Sequence, residues 1–147
     1  MRSKLLHEQD GVRTFAVVLR TGDEVGGALR EFIRAEGLSA AQVTAIGAVS
    51  EAMLLFFDWE RKEYVEIPVD EQCEVAAFLG DVALDPKGAP MAHIHLVLGK
   101  RDGVAVAGHL KRAIVRPTLE MILTETPAHL RRSIDPESGL GLIDLAS

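Results

Sequence analysis

The sequence predicts an α+β fold, a single domain built on a largely antiparallel sheet. Three observations predict it. Most apolar segments are short and either alternate in polarity or are rich in β-branched residues, as strands are. A single segment has the 3.6-residue periodicity of an amphipathic helix. Mostly short turns join the strand segments, and connections of that length favour antiparallel neighbours.

The strand segments run along the whole chain. Val12–Arg20 (VRTFAVVLR) is the first predicted strand. Further strands are expected at residues 43–49, 52–58, 64–69, 74–84, 92–98, 104–110, 114–124 and 140–145. Residues 85–90 form a loop, and the segment 127–138 reads as a polar tail. The strand 92–98 is apolar on both faces apart from its histidines, and one helix covers only part of one face. We therefore expect a homo-oligomer.

One helix is expected after the first strand. Thr21 and Glu24 have the spacing of a capping box. Apolar residues follow in the stripe of a surface helix, at positions 25, 28, 29, 32 and 33. Gly37 supplies the helix stop. Gly26 and Gly27 in the first turns indicate either tight packing or the approach of a ligand or a subunit.

Length and composition limit the class of protein. The 147 residues suit one domain, residues 1–147, which can bury a sizeable core without disulfides. Cys73 is the only cysteine, which excludes an intrachain disulfide and a cysteine-rich zinc site and agrees with a reducing cytoplasm. No apolar run is long enough to span a bilayer, and residues 1–15 lack a signal-peptide core. We expect a cytoplasmic protein without membrane contact.

The net charge of −6 disfavours a nucleic-acid-binding module that depends on charge. Such modules gain affinity from cationic side chains that displace counterions. No tail rich in lysine and arginine is present. The densest basic spots are Lys100-Arg101, Lys111-Arg112 and Arg131-Arg132.

Three of the five histidines, His93, His95 and His109, lie within seventeen residues. His93 and His95 are two residues apart, so on a strand they share one face. His7 and His129 lie in polar terminal segments and are expected to be solvated.

The turn between the two strands decides whether His109 joins that face. A two-residue turn at 102–103 would place His109 opposite Leu96, on the other face. A three-residue turn at 101–103, with a left-handed glycine, places it opposite His95. The second register also sorts the side chains, because the large apolar residues share one face and the histidines share the other with two alanines. A slip by one residue would break that sorting.

Three convergent imidazoles are typical of a site for a borderline transition metal, zinc above all. The alternative is that the histidines are core or interface residues bonded to backbone carbonyls. Three histidine ligands without a fourth protein ligand leave one coordination position open, as in catalytic zinc sites. Asp81 and Glu120 are candidate carboxylates for orienting a ligand or acting as a general base, with ordinary strand polarity as the alternative.

The segment PMAHIHLVLGKRDGVAVAGHL, followed by TLEMIL, resembles the plant-and-prokaryote-conserved (PPC) domain. That family pairs an HxH strand with a DG turn and a GGHL segment. AIGAVSEAMLLFFD resembles the family's Gly-rich segment and EVAAFLGDVAL its LxGN strand, so the resemblance spans nearly the whole chain. Ala107 stands where the first glycine of GGH is usual, and Asp81 stands where asparagine is common.

The resemblance implies an antiparallel sheet of about seven strands with flanking helices, assembled as a trimer. It also implies a metal ion, zinc, held by three histidines in some prokaryotic members, at the positions of His93, His95 and His109. Plant members join the domain to AT-hooks, and prokaryotic members are described as DNA-binding for that reason. This chain has no Arg-Gly-Arg-Pro core, so a DNA function would rest on fold analogy alone.

Three functions are compatible with these features of the sequence. The first is a trimeric PPC-like domain with a three-histidine zinc site and an unsettled role. The second is a DNA-associated regulatory or interaction module. The third is a zinc-dependent hydrolase or lyase that acts on a small molecule.

Overall fold

The computed structural model describes residues 1–146, and most of them lie in strands. Within that range the elements follow in the order β1 (Arg2–Gln9), β2 (Val12–Arg20), α1 (Val25–Glu36), β3 (Ala41–Asp58), β4 (Glu63–Val69), β5 (Cys73–Leu84), β6 (Pro90–Gly99), β7 (Ala105–Glu125), β8 (Arg131–Ile134) and β9 (Gly141–Asp144). The nine strands form one sheet. None of the helical structure in residues 1–146 has the length and apolar character needed to cross a membrane.

Four strands close a circuit of pairings. β3 pairs with β5, β5 with β6, β6 with β7, and β7 again with β3, all antiparallel. β2 and then β1 extend the sheet from β7, and β4 extends it from β3. The β8–β9 hairpin attaches to the end of β5. The buried faces of these strands and one side of α1 form a single apolar cluster, to which the helix contributes Val25, Leu29, Phe32 and Ile33.

The predicted sheet is confirmed, but the strand count and the flanking helices are wrong. The sheet has nine strands instead of about seven, and α1 is the only helix within residues 1–146. Two pairs of predicted strands are continuous: segments 43–49 and 52–58 form β3, and segments 104–110 and 114–124 form β7. The register of β3 against β7 shifts at three places. Such bulges let a long strand bend toward a new neighbour without ending.

Two strands lie where the sequence gives no strand signal. β1 is exposed along its whole length, and among residues 1–146 it pairs only with β2. β8 lies in the tail that the sequence predicts as polar. Neither has a buried face that would produce alternating polarity over a run of residues, which is the pattern that predicts a strand. The last predicted strand, at residues 140–145, is confirmed by β9.

The helix is confirmed, but its N-terminal cap differs from the predicted capping box. Glu24 is the cap in place of Thr21, and its carboxylate accepts from the amides of Gly26 at 2.8 Å and Gly27 at 2.6 Å. A Cβ at Gly27 would lie 2.9 Å from this carboxylate. The two glycines therefore accommodate the chain's own capping group. Gly37 ends the helix with φ 66°, as predicted.

Two glycines beside the histidines let neighbouring strands approach closely. A Cβ at Gly80 of β5 would overlap the backbone carbonyl oxygen of His93 on β6. A Cβ at Gly108 of β7 would lie 2.7 Å from the carbonyl oxygen of Leu55 on β3. Side chains at these positions would push the strands apart and move the histidines with them.

We expect Gly80→Ala to lower the free energy of unfolding by about 1–3 kcal/mol, the usual cost of forcing a methyl group into a packed position. Gly99→Ala is the matched control on β6, because the nearest atom to its added Cβ is 3.9 Å away. That substitution should change stability by less than about 0.5 kcal/mol. Urea unfolding followed by circular dichroism measures both. Equal stability of the two variants would contradict the close approach at Gly80.

Candidate metal centre

β6 and β7 meet in the register that a three-residue turn requires. His95 pairs directly with His109, and their ring centroids are 4.1 Å apart. The amide of Lys100 donates to the carbonyl of Val104 at 2.8 Å, which closes the turn, and Gly103 has φ 84°. The predicted three-residue turn and the pairing of the two histidines are therefore confirmed.

His93 lies on the same face, two residues before His95. Its Nε2 is 3.0 Å from Nδ1 of His109, and the two rings are stacked with centroids 5.0 Å apart. One nitrogen from each of the three rings lies within 4.8 Å of the other two. The structure thus brings together the three residues that the sequence singles out. No carboxylate or thiol group of residues 1–146 belongs to this group.

The opposite face of β6 belongs to the core. Ile94, Leu96 and Leu98 are all buried, as the sorting of side chains predicts. The two remaining histidines lie apart from the cluster. His7 is exposed on β1, and Nδ1 of His129 is 2.6 Å from the hydroxyl oxygen of Ser39.

The geometry of the three rings fits a divalent metal ion. Zinc binds imidazole nitrogen at about 2.0–2.1 Å, so two nitrogens in a tetrahedral shell lie about 3.3 Å apart. The 3.0 Å between His93 Nε2 and His109 Nδ1 is close to that separation. His95 is exposed, so its ring can rotate toward the other two without disturbing the core. The three imidazoles could therefore hold a metal ion and leave a coordination position open.

Burial and repulsion from neighbouring charges lower the pKa values of His93 and His109 and so favour their neutral form, which is the form that binds metal. Burial, together with the charges that His95 and His93 would carry, lowers the pKa of His109 to about 4. Burial also lowers the pKa of His93, followed by the charge of Arg132 and that of His95, while Asp81 acts in the opposite direction. At neutral pH the lone pairs of His93 and His109 are therefore available.

Arg132 adjoins the site, and sequence reasoning missed it. Its side chain is only 4% exposed, although it lies on β8 in the segment predicted as a polar tail. It donates to Oδ1 of Asp81 at 2.5 Å and to the carbonyl of Gly141 at 3.0 Å. The same nitrogen that contacts Asp81 lies 3.5 Å from Nδ1 of His93. The pair of basic residues at 131–132 carries no signal that one of them is buried.

The two candidate carboxylates lie in different places. Asp81 pairs with His93 across β5 and β6, so it is next to the histidines. Glu120 pairs with Val18 and Ile46, on the part of β7 that β3 and β5 separate from β6. The structure therefore keeps Asp81 as a candidate for orienting a metal ligand. It removes Glu120 as a base for this site.

An aromatic group borders the site on its other side. The ring of Tyr64 meets His109 edge-on with centroids 5.2 Å apart, and Phe57 meets Tyr64 at 5.2 Å. The ring of Trp59 in turn contacts Phe57, with centroids 6.4 Å apart. The β3–β4 hairpin brings these rings to β7, and nothing in the local sequence around them indicates that contact. The histidines therefore lie between an aromatic side and a charged side.

One protein family matches most of the chain. The sequence model of the Plants and Prokaryotes Conserved (PCC) domain, the family introduced above as PPC, matches residues 6–127. The chain belongs to this family. The matched residues include the three histidines and Asp81, and they end before Arg132. The resemblance carried by the HxH strand and the GHL segment is thereby confirmed.

Three solved structures are similar to this chain in fold. A PPC protein of Pyrococcus horikoshii superposes with a TM-score of 0.83 at 29% identity, covering 90% of this chain and 91% of its own. A metal-containing protein of Archaeoglobus fulgidus superposes with a TM-score of 0.82 at 30% identity, and the match covers 97% of this chain and 98% of that protein. A protein of Bacteroides thetaiotaomicron, described as a candidate DNA-binding protein, superposes with a TM-score of 0.85 at 25% identity, and the match covers 96% of each chain. No curated protein matches the chain by sequence.

We expect the metal-free protein to lose stability as the pH falls below about 6.5. The pKa of His109 is about 4 in the folded protein against an ordinary value of 6.5. Between these values the unfolded chain binds more protons than the folded one, so the free energy of unfolding decreases as pH decreases. This contribution is fully present above about 6.5.

His109→Asn removes the group and should reduce the slope between pH 6.5 and 4, leaving the part that comes from the lowered pKa of His93. His7→Asn, which changes an exposed histidine of β1, is the matched control and should keep the wild-type slope. Urea unfolding at a series of pH values measures the slopes. Equal slopes in the two variants would refute the assignment to His109.

Proposed function

We propose that this PCC-domain protein binds Zn²⁺ through His93, His95 and His109 and acts as a homotrimer, with residues 1–147 forming one domain. The observation that carries the proposal is the convergence of three imidazole nitrogens within 4.8 Å on one face of a hairpin. The Archaeoglobus fulgidus structure, which is similar over 97% of this chain and is described as metal-containing, supports it.

The donor set favours zinc. Imidazole nitrogen suits zinc, copper, iron and nickel, and zinc accepts three protein ligands with a fourth position left for water or another ligand. Three neutral ligands leave the double positive charge of the ion uncompensated, so the open position favours an anion. When bound, zinc would supply Lewis acidity and would lower the pKa of a bound water to about 7. The chain's own residues hold the ion and surround the open position.

We expect protein purified without a nickel column to bind close to one equivalent of Zn²⁺ per chain. His95→Ala removes one of three ligands and should weaken binding by more than roughly a hundredfold, beyond the range found for groups that only support a ligand. His7→Ala is the control and should bind as the wild type does. Isothermal titration calorimetry of chelator-treated protein measures both. Failure to take up stoichiometric zinc after reconstitution would contradict the proposal.

The outer face of the sheet beside the histidines supports the trimer. Cross-strand pairs place Ile122, Thr44, Leu79 and His95 in one row on this face. Leu79 is 57% exposed and Ile122 is 43% exposed, and Ile46 nearby is 66% exposed. Clustered apolar side chains on a surface commonly mark a contact with another protein. We propose that further copies of this chain cover this face, which would place the metal site at or near a subunit boundary.

We expect Leu79→Glu to dissociate the trimer, because it places a charge in the centre of the proposed contact. Val104→Glu is the matched control, since Val104 is 55% exposed but lies at the β6–β7 turn. Size-exclusion chromatography with light scattering should give three times the chain mass for the wild type and the control. A monomeric wild type, or a variant at Leu79 that stays trimeric, would overturn the proposed assembly.

DNA contact is not part of the proposal. The DNA-binding description belongs to structural neighbours such as the Bacteroides thetaiotaomicron protein. In this chain the net charge of −6 opposes binding to a polyanion. Cys73 is buried and unpaired, which suits a reducing compartment, and we propose the cytoplasm as the location.

A further inference from the structure

A buried cation and its partner anion adjoin the histidine site. The guanidinium of Arg132 lies 2.5 Å from the carboxylate of Asp81 and 3.5 Å from the Nδ1 atom of His93. A second terminal nitrogen donates to the carbonyl of Gly141. Within residues 1–146 the buried Nε has no hydrogen-bond partner. An arginine side chain stays protonated at every pH at which proteins fold, so this is a permanent charge.

The cation comes from a part of the chain that lies beyond the residues matched by the family. Arg132 lies on β8, after residue 127. The backbone amide of Leu84 donates to the carbonyl of Leu130 at 2.7 Å, which attaches the hairpin to the end of β5. Asp81 lies on the same β5, directly opposite His93 on β6. The C-terminal hairpin thus places the positive charge of Arg132 at the edge of the site, where it forms an ion pair with Asp81 of β5.

The two charges act with opposite signs on any cation that the histidines hold. Arg132 repels a cation and Asp81 attracts it, and the burial of Arg132 and partial burial of Asp81 weaken the solvent screening of these charges.

We propose that the Arg132–Asp81 ion pair sets the metal affinity of the histidine site, with Asp81 raising that affinity and Arg132 lowering it. This inference rests on the proposed function, because it takes zinc binding by the three histidines as given. Both residues act from beside the ligands. The carboxylate of Asp81 lies outside the group of converging nitrogens, and Arg132 is too deeply buried to meet a ligand from solvent.

A purely structural role for the pair makes a different prediction. Removing either partner of a partly buried ion pair leaves the other charge uncompensated and destabilises the fold. If that were the whole role, both substitutions would loosen the site and weaken metal binding. Opposite changes in affinity are therefore the signature of the electrostatic role.

The experiment measures zinc affinity, by competition with a chromophoric chelator, for the wild type and four full-length variants. Arg132→Met should bind roughly tenfold more tightly and Asp81→Asn roughly tenfold more weakly, the lower end of the range for groups that support metal ligands. Arg132→Lys keeps the charge and should stay within about threefold of the wild type. Arg131→Met, on the exposed neighbour in β8, is the matched control and should leave the affinity unchanged. Thermal unfolding in chelator establishes that each variant is folded.

Affinity changes of the same sign in Arg132→Met and Asp81→Asn, or no change in either, would overturn the inference while leaving the proposed zinc site intact. A wild type that binds no zinc would instead overturn the proposed function, and this inference with it. If Arg132→Met does not fold, Arg132→Gln, which also removes the charge but keeps a polar side chain, takes its place in the comparison of signs. Unchanged or tighter binding by Asp81→Asn would refute the role of the pair.

Discussion

The parity of the pairing between β6 and β7 is the constraint on which the rest of the structure depends. Side chains alternate between the two faces of a strand, so a slip of one residue would exchange everything on one face for everything on the other. The observed register buries Ile94, Leu96 and Leu98 and leaves His95 facing His109. Burying each large apolar side chain contributes about 1.5–3 kcal/mol, far more than neutral histidines gain from one another. Packing of the core therefore fixes the register, and the register in turn fixes the positions of the histidines.

This dependence explains how three imidazoles can be held close together, with a single contact of 3.0 Å between the nitrogens of His93 and His109 to link them. Burial disfavours protonation of His93 and His109, and the charges of neighbouring groups add to that effect. A fold that holds such a group must draw its stability from elsewhere, here from the apolar faces of the same strands. The close approaches at Gly80 and Gly108 belong to the same arrangement, because they set how near the histidine strands come to their neighbours.

Sequence reasoning succeeded where the information is local. Periodicity located α1 and most of the strands, and the spacing of His93, His95 and His109 together with the turn chemistry gave the correct register. It failed where a contact joins distant segments or where an element has no buried face. β1 has no apolar alternation because all of it is exposed.

The buried position of Arg132 has the same explanation, because it depends on Asp81, 51 residues earlier in the chain. The bulges that keep β3 and β7 continuous are likewise set by neighbouring strands. Glu24 caps the helix instead of Thr21. Gly26 and Gly27 have no side chains, which leaves room for the carboxylate of Glu24 to accept hydrogen bonds from their amides.

The contacts around the histidine site join residues at different separations along the chain, and this affects the order in which they form during synthesis. His93 and His109 are 16 residues apart, whereas Arg132 and Asp81 are 51 apart. Closing a short loop costs less entropy than closing a long one, so local hairpins form before distant segments dock. Synthesis also releases the N-terminal part of a chain first, at about 5–20 residues per second. A newly made chain can therefore present its three imidazoles together before the C-terminal hairpin arrives with its charge, and the first ion to reach them would meet a different electrostatic environment from the one in the finished protein.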